Sequence, residues 1–123
     1  MYTFDTNTII YYLKDDAKAV QTIEEIMASN PTLYISTITE LELLSLSSLT
    51  SRELKSINSF LPIFSILSVD SQIAKIAASV RRNYKLKTPD SIIAATALFT
   101  QSTLLTRNVN DFKKVKEIET MKI

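Results

Sequence analysis

The chain has 123 residues and contains no histidine, no cysteine and no glycine. Without histidine, Ser-His-Asp and Cys-His catalysis, imidazole general bases and the usual zinc sites are excluded. Without cysteine there is no disulfide framework, no thiolate metal site and no cysteine nucleophile. Without glycine, Gly-rich phosphate loops and dinucleotide fingerprints are impossible, and turns must be made by Asn, Asp, Ser and Pro. No apolar run is long enough to span a bilayer. The N-terminus carries Asp5 and no cationic lead into an apolar stretch, so no signal-peptide pattern is present and a cytoplasmic protein is expected. Any chemistry must rest on carboxylates, hydroxyls, amides, lysines or arginines.

What remains is ordinary for a globular protein: 46% hydrophobic and 22% charged residues, enough for one domain over residues 1–123 with a real core. Short apolar runs at Tyr2-Thr3-Phe4, Leu33-Tyr34-Ile35, Ile63–Val69 and Ser102–Thr106 read as strands. Between them the apolar residues recur at helical spacing. Helices are expected after Asp5, over 17–28, from Thr37 (with Thr37 and Glu40 as a capping box), over 52–61 up to Pro62, from Asp70 through Val80, and over about 89–100. Ile118–Ile123 is a candidate edge strand. Strands alternating with helices predict an α/β layered fold with a mostly parallel sheet. The functional crevice of such a sheet lies at the carboxyl ends of its strands.

The most informative stretch is Thr88-Pro89-Asp90-Ser91-Ile92-Ile93-Ala94-Ala95-Thr96-Ala97. Thr88 suits an N-cap and Pro89 the first helical position. Counting from Asp90, Ile93, Ala94, Ala97 and Leu98 fall on one helix face, so Asp90 begins the apolar stripe. A carboxylate there must be paired or bound to a metal, or else serve only the helix dipole.

Three further acids fall at matching places. Asp5 follows the first strand, Glu42 lies in the helix after the second, and Asp111 lies beyond the fourth. Each has a plain alternative: Asp5 and Asp111 as caps, Glu42 as a solvated helix glutamate. Four carboxylates at one sheet rim, however, would repel and take up protons unless a cation held them ionised. All-oxygen ligands suit Mg²⁺ or Mn²⁺, ions that acidify water and stabilise charge on a phosphodiester.

On these residues the chain resembles the PIN-domain ribonucleases, above all the VapC-type toxins of toxin–antitoxin pairs. Phe4-Asp5-Thr6-Asn7 is similar to that family's first motif, and Ser36-Thr37-Ile38-Thr39-Glu40-Leu41-Glu42-Leu43 to its second, which selects Glu42 over Glu40. Pro89–Ala97 and Leu105-Thr106-Arg107-Asn108-Val109-Asn110-Asp111-Phe112 resemble the third and fourth. A departure is Ser45-Leu46, where the family often has glycine. The resemblance implies a three-layer α/β/α fold and hydrolysis of RNA dependent on Mg²⁺ or Mn²⁺. It implies Asp5 and Asp90 as direct metal ligands, with Glu42 and Asp111 completing the acidic pocket. Asn7, Thr106 and Asn108 would orient these groups or the phosphate. It also implies an antitoxin partner, whose C-terminal segment occludes the site, and a homodimer.

Charge agrees modestly. There are 14 basic and 13 acidic residues; with the four candidate acids set aside, 14 face 9, leaving five excess positive charges. Arg52 with Lys55, Arg81 to Lys87, Arg107, and Lys113 to Lys116 are candidate phosphate contacts. Two rival readings are a PIN-like module that binds RNA or protein without cutting, and a phosphoacceptor receiver domain. The second would use Asp70 but lacks its lysine, having Thr106-Arg107 in that place.

Overall fold

The structure, a computed structural model, describes residues 1–123. Strands β1 (Tyr2–Phe4), β2 (Leu33–Ser36), β3 (Ser65–Leu67), β4 (Thr103–Thr106) and β5 (Thr120–Lys122) form one sheet in the order β3-β2-β1-β4-β5. All four neighbouring pairs are parallel. The helices are α1 (Thr6–Leu13), α2 (Ala17–Ala28), α3 (Thr37–Leu44), α4 (Ser51–Phe60), α5 (Ser71–Tyr84), α6 (Thr88–Thr100) and α7 (Val109–Phe112), with a 3₁₀ turn at Leu61–Ile63.

The two sheet faces are covered separately, giving the expected α/β/α layers. Strand alternation sends Leu105 to one face and Leu104 to the other. Leu105 joins Phe4 and Ile35 against Ile9 of α1, Ile23 of α2, Leu43 of α3 and Ile57 of α4. Leu104 packs with Ile93, Ala94 and Ala97 of α6, Val80 of α5 and Phe112 of α7. Helix α6 is buried nearly all round from Ser91 to Ala97, because alanines let the sheet and α5 approach it from different sides. The helix is thus anchored directly after its first turn, where Asp90 stands.

The missing glycines leave a trace in the backbone. Asp15, Asn30, Ser48, Lys85 and Gln101 all take positive φ, between 51° and 62°. Asp, Asn and Ser are the expected substitutes. Lys85 and Gln101, which end α5 and α6, are not, and a non-glycine residue there costs about 1 kcal/mol.

Several local expectations need correction. Helix α3 is capped by Ser36, whose Oγ accepts from the Ile38 N–H at 3.1 Å. Thr37 Oγ1 instead accepts from the Val69 N–H at 3.2 Å, so Thr37 and Glu40 form no capping box. The capping box is one helix later, between Thr50 and Glu53. Helix α6 starts one residue early, with Lys87 as N-cap and Thr88 inside the helix, since the Ser91 N–H already bonds the Lys87 carbonyl at 2.9 Å. Pro62 sits within the 3₁₀ turn, and β3 is shorter than the apolar run around it.

Candidate active site

The sheet order places β1 between β2 and β4, so the segments leaving these three strands converge at one rim. Asp5 leaves β1 and caps α1. Its Oδ1 accepts from the Thr8 backbone N–H at 2.8 Å and lies 2.6 Å from Thr8 Oγ1. The β1–β4 register pairs Phe4 with Leu105 and so sets Thr106 beside Asp5. Thr106 Oγ1 donates to Asp5 Oδ2 at 2.5 Å and accepts from the Asn108 N–H at 3.0 Å. Asp5 is only 6% exposed, so these donors leave its carboxylate little freedom.

Glu42 projects from α3 toward the same place. Thr6 Oγ1, at the start of α1, donates to Glu42 Oε1 at 2.5 Å. Asp90, in the first turn of α6, is half-buried and makes no side-chain hydrogen bond or ion pair. Its carboxyl is raised above the ordinary value, first by burial and then by the charges of Asp5, Asp111 and Glu42; Lys87 acts weakly the other way. Asp90 thus feels the charge of the other three acids.

Asp5, Glu42 and Asp90 line one open cavity of about 450 Å³, together with Asn7 and Ser45 to Ser47. Asp111 is not part of that wall. It accepts from Asn108 Nδ2 at 2.9 Å and has Lys114 Nζ at 3.9 Å. Asn7 is exposed and lies on the wall; Thr106 is buried behind it; Asn108 is engaged with Asp111.

Thr6 and Thr8 were not singled out from the sequence, although an Asp-x-x-Thr at a helix start is a recognisable capping pattern. Arg107 is a correction in the other direction. It is no free phosphate contact: its Nη2 lies 2.7 Å from Asp16 Oδ2, its Nε donates to the Ile123 carbonyl at 3.3 Å, and its guanidinium sits 4.1 Å from the Tyr11 ring centroid.

No three acidic side chains are drawn together as a ready-made metal cage. A hard cation such as Mg²⁺ takes one or two carboxylates and keeps several waters, so three are not needed to hold one. The donor set is all oxygen, and no lysine or arginine is ion-paired with Asp5, Glu42 or Asp90.

The PIN domain family matches residues 2–118. The chain therefore belongs to the PIN domain family, and the expected three-layer fold holds. Its structural relatives are toxin–antitoxin complexes with VapC-type PIN toxins. A chain of a toxin–antitoxin complex from Klebsiella pneumoniae is 32% identical, with a TM-score of 0.83 and full coverage of both chains (100% and 100%). A chain of VapBC-1 from nontypeable Haemophilus influenzae is 25% identical, TM-score 0.82, covering 98% of this chain and 96% of that one. A chain of VapBC2 from Rickettsia felis, solved bound to a DNA fragment from its promoter, shares the fold at 22% identity, TM-score 0.85, covering 99% and 98%. No curated protein sequence matches. No helix is long and apolar enough to cross a membrane.

Proposed function

We propose that this chain is a divalent-metal-dependent endoribonuclease and the toxin of a type II toxin–antitoxin pair, acting in the cytoplasm as a single PIN domain. The observation that carries the reading is the shared cavity of Asp5, Glu42 and Asp90, with Asp90 unpaired and its carboxyl raised by burial and then by its acidic neighbours. An Mg²⁺ or Mn²⁺ ion held by Asp5 and Asp90 would supply acidified water and positive charge for phosphodiester hydrolysis.

The chain's own residues supply the geometry. Thr8 and Thr106 fix both oxygens of Asp5, and Thr6 fixes one oxygen of Glu42. Glu42 is thereby aimed to accept a proton within the cavity. Asn108 steers Asp111, which keeps the local potential negative enough to attract a cation. The Asn7 amide, on the cavity wall, is available to orient a phosphate oxygen.

The antitoxin reading has its own support. An apolar groove lined by Leu13, Leu43, Leu49 and Ile57 shares Ile10 and Leu46 with the carboxylate cavity. An amphipathic helix of the antitoxin seated there can deliver a basic side chain to the acids. A second copy of the chain is the partner proposed for the open sheet edge, where Ile66 and Val69 are exposed. Cleavage of RNA by the purified chain with Mg²⁺ or Mn²⁺, against a chelator control, tests the reading.

A further inference from the structure

Beyond the carboxylates, the surface continues toward α4. Ile10 and Leu46 wall both the acidic cavity and the apolar groove; Leu13 and Ser56 wall both that groove and a further open depression. This depression, of about 450 Å³, is bordered by Arg52, Lys55, Ser56, Ser59 and Phe60. The first four lie at i, i+3, i+4 and i+7 of α4, one face of the helix.

Arg52 and Lys55 are exposed and neither forms an ion pair, whereas Arg107 and Lys114 each face a carboxylate. Ser56 donates its hydroxyl proton to the Arg52 carbonyl at 3.1 Å, and Ser59 donates to the Lys55 carbonyl at 2.9 Å. Both serine oxygens are left as acceptors. Half-buried Phe60 is stacked on Tyr12 with centroids 4.8 Å apart and an 18° tilt and meets Phe64 edge-on at 5.3 Å, so its ring is seated by two aromatic contacts beside the depression.

We propose that this face of α4 seats the nucleotides flanking the cleavage point of a single-stranded RNA. Arg52 and Lys55 take phosphates, Phe60 supports a base, and the Ser56 and Ser59 oxygens accept from 2′-hydroxyls. The inference rests on the ribonuclease reading above and says where the substrate lies. Such a surface serves the reaction, because the carboxylates of the cavity oppose phosphates wherever a bound cation does not offset their charge. Affinity must come from cations set apart from the acids yet contiguous with them. Arg81, at the far end of α5, borders a depression that shares no wall residue with the acidic cavity.

The test measures binding of a fluorescein-labelled mixed-sequence RNA of about twelve nucleotides to the full-length Asp90→Asn chain, so that bound RNA stays intact. Adding Arg52→Glu with Lys55→Glu is expected to weaken binding about tenfold and to flatten the salt dependence by about 1.4, or ~0.7 per lost phosphate contact. Arg81→Glu with Arg82→Glu, on the last turn of α5 and outside the three contiguous depressions, should change affinity less than about twofold, and DNA of the same sequence should bind more weakly than RNA. Circular dichroism confirms folding of each variant; both pairs lie on exposed helix positions. Equal losses from the two pairs, undiminished binding by the α4 pair, equal binding of DNA, or α4-dependent capture of polyglutamate in place of RNA would overturn the proposal. Normal RNA binding by the α4 variant beside metal-dependent cutting by the unsubstituted chain removes this surface and keeps the nuclease. RNA binding that needs α4, with no cutting in either metal, does the reverse.

Discussion

Thr106 Oγ1 donates a 2.5 Å hydrogen bond to Asp5 Oδ2 across 101 residues of sequence, joining the carboxyl ends of β4 and β1. The same oxygen accepts from the Asn108 N–H, so one hydroxyl links the first and fourth acidic segments. Replacing it with an isosteric methyl frees one Asp5 oxygen and orphans an amide. Thr106→Val is expected to lower Mn²⁺ affinity and RNA cleavage ten- to a hundredfold, in the range of about 10–100-fold for a lost outer partner of a metal ligand. Calorimetric metal titration beside cleavage kinetics checks this; unchanged values in both would remove Thr106 from the site.

Thr6 plays the corresponding part for Glu42. Thr6→Val should reduce the cleavage rate about tenfold or more, while Thr6→Ser, which keeps the hydroxyl, should restore most of it. Full activity of Thr6→Val beside an impaired Thr6→Ser would mean that packing of the methyl group, and not the hydrogen bond, is what matters.

The Asp90 carboxyl gives a pH signature. Burial and its acidic neighbours raise it above the ordinary value of 3.8. A carboxyl raised on folding contributes stability that is complete below the unfolded value and is lost as pH rises through the folded one. Ionised Asp90 therefore opposes folding at neutral pH. In the metal-free chain, Asp90→Asn should raise Tm near pH 7, and its advantage should shrink as pH is lowered toward about 4. Saturating Mn²⁺ should raise the Tm of the unsubstituted chain, by about 2.7 kcal/mol of stability at a hundredfold excess over Kd, and scarcely move the variant. Thermal melts across pH, with and without Mn²⁺, decide the matter; a pH-independent difference would contradict this origin.

Arg107 separates structure from substrate binding. Its guanidinium joins Asp16 at the start of α2, the Tyr11 ring and the Ile123 carbonyl, and it holds the Asp16 carboxyl below the usual range. Arg107→Met should lower Tm and leave the salt dependence of RNA binding unchanged. A slope flattened by about 0.7 would instead mark a phosphate contact.

The sequence made the layers legible because strands and helices alternate with clear changes of apolar period, and the acids sit where parallel strands end. Asp90 could be placed from its position at the head of an apolar helix face. Glu42 could not be separated from Glu40 by periodicity and came from the motif. Caps are harder to assign where several capping residues stand in a row: α3 starts at Thr37 as expected, but Ser36 is its cap, and only the tertiary contact of Thr37 with Val69 shows which hydroxyl is free to cap. The roles of Thr6 and Thr8 were hidden for a related reason. Which hydroxyl meets which carboxylate depends on the β1–β4 register and the seating of α3 against α1, relations that no local pattern encodes. Arg107 read as a free cation because Asp16, its partner, is 91 residues away.

The central claim is that the shared carboxylate cavity cuts RNA with a divalent ion. The most direct measurement is cleavage of a mixed RNA pool by the purified, partner-free chain with Mg²⁺ or Mn²⁺, with EDTA, and beside folded Asp5→Asn and Asp90→Asn variants. The account predicts discrete cuts that require the metal and fall at least about a hundredfold in either variant. Metal-independent cutting, or cutting that survives both substitutions, would contradict it.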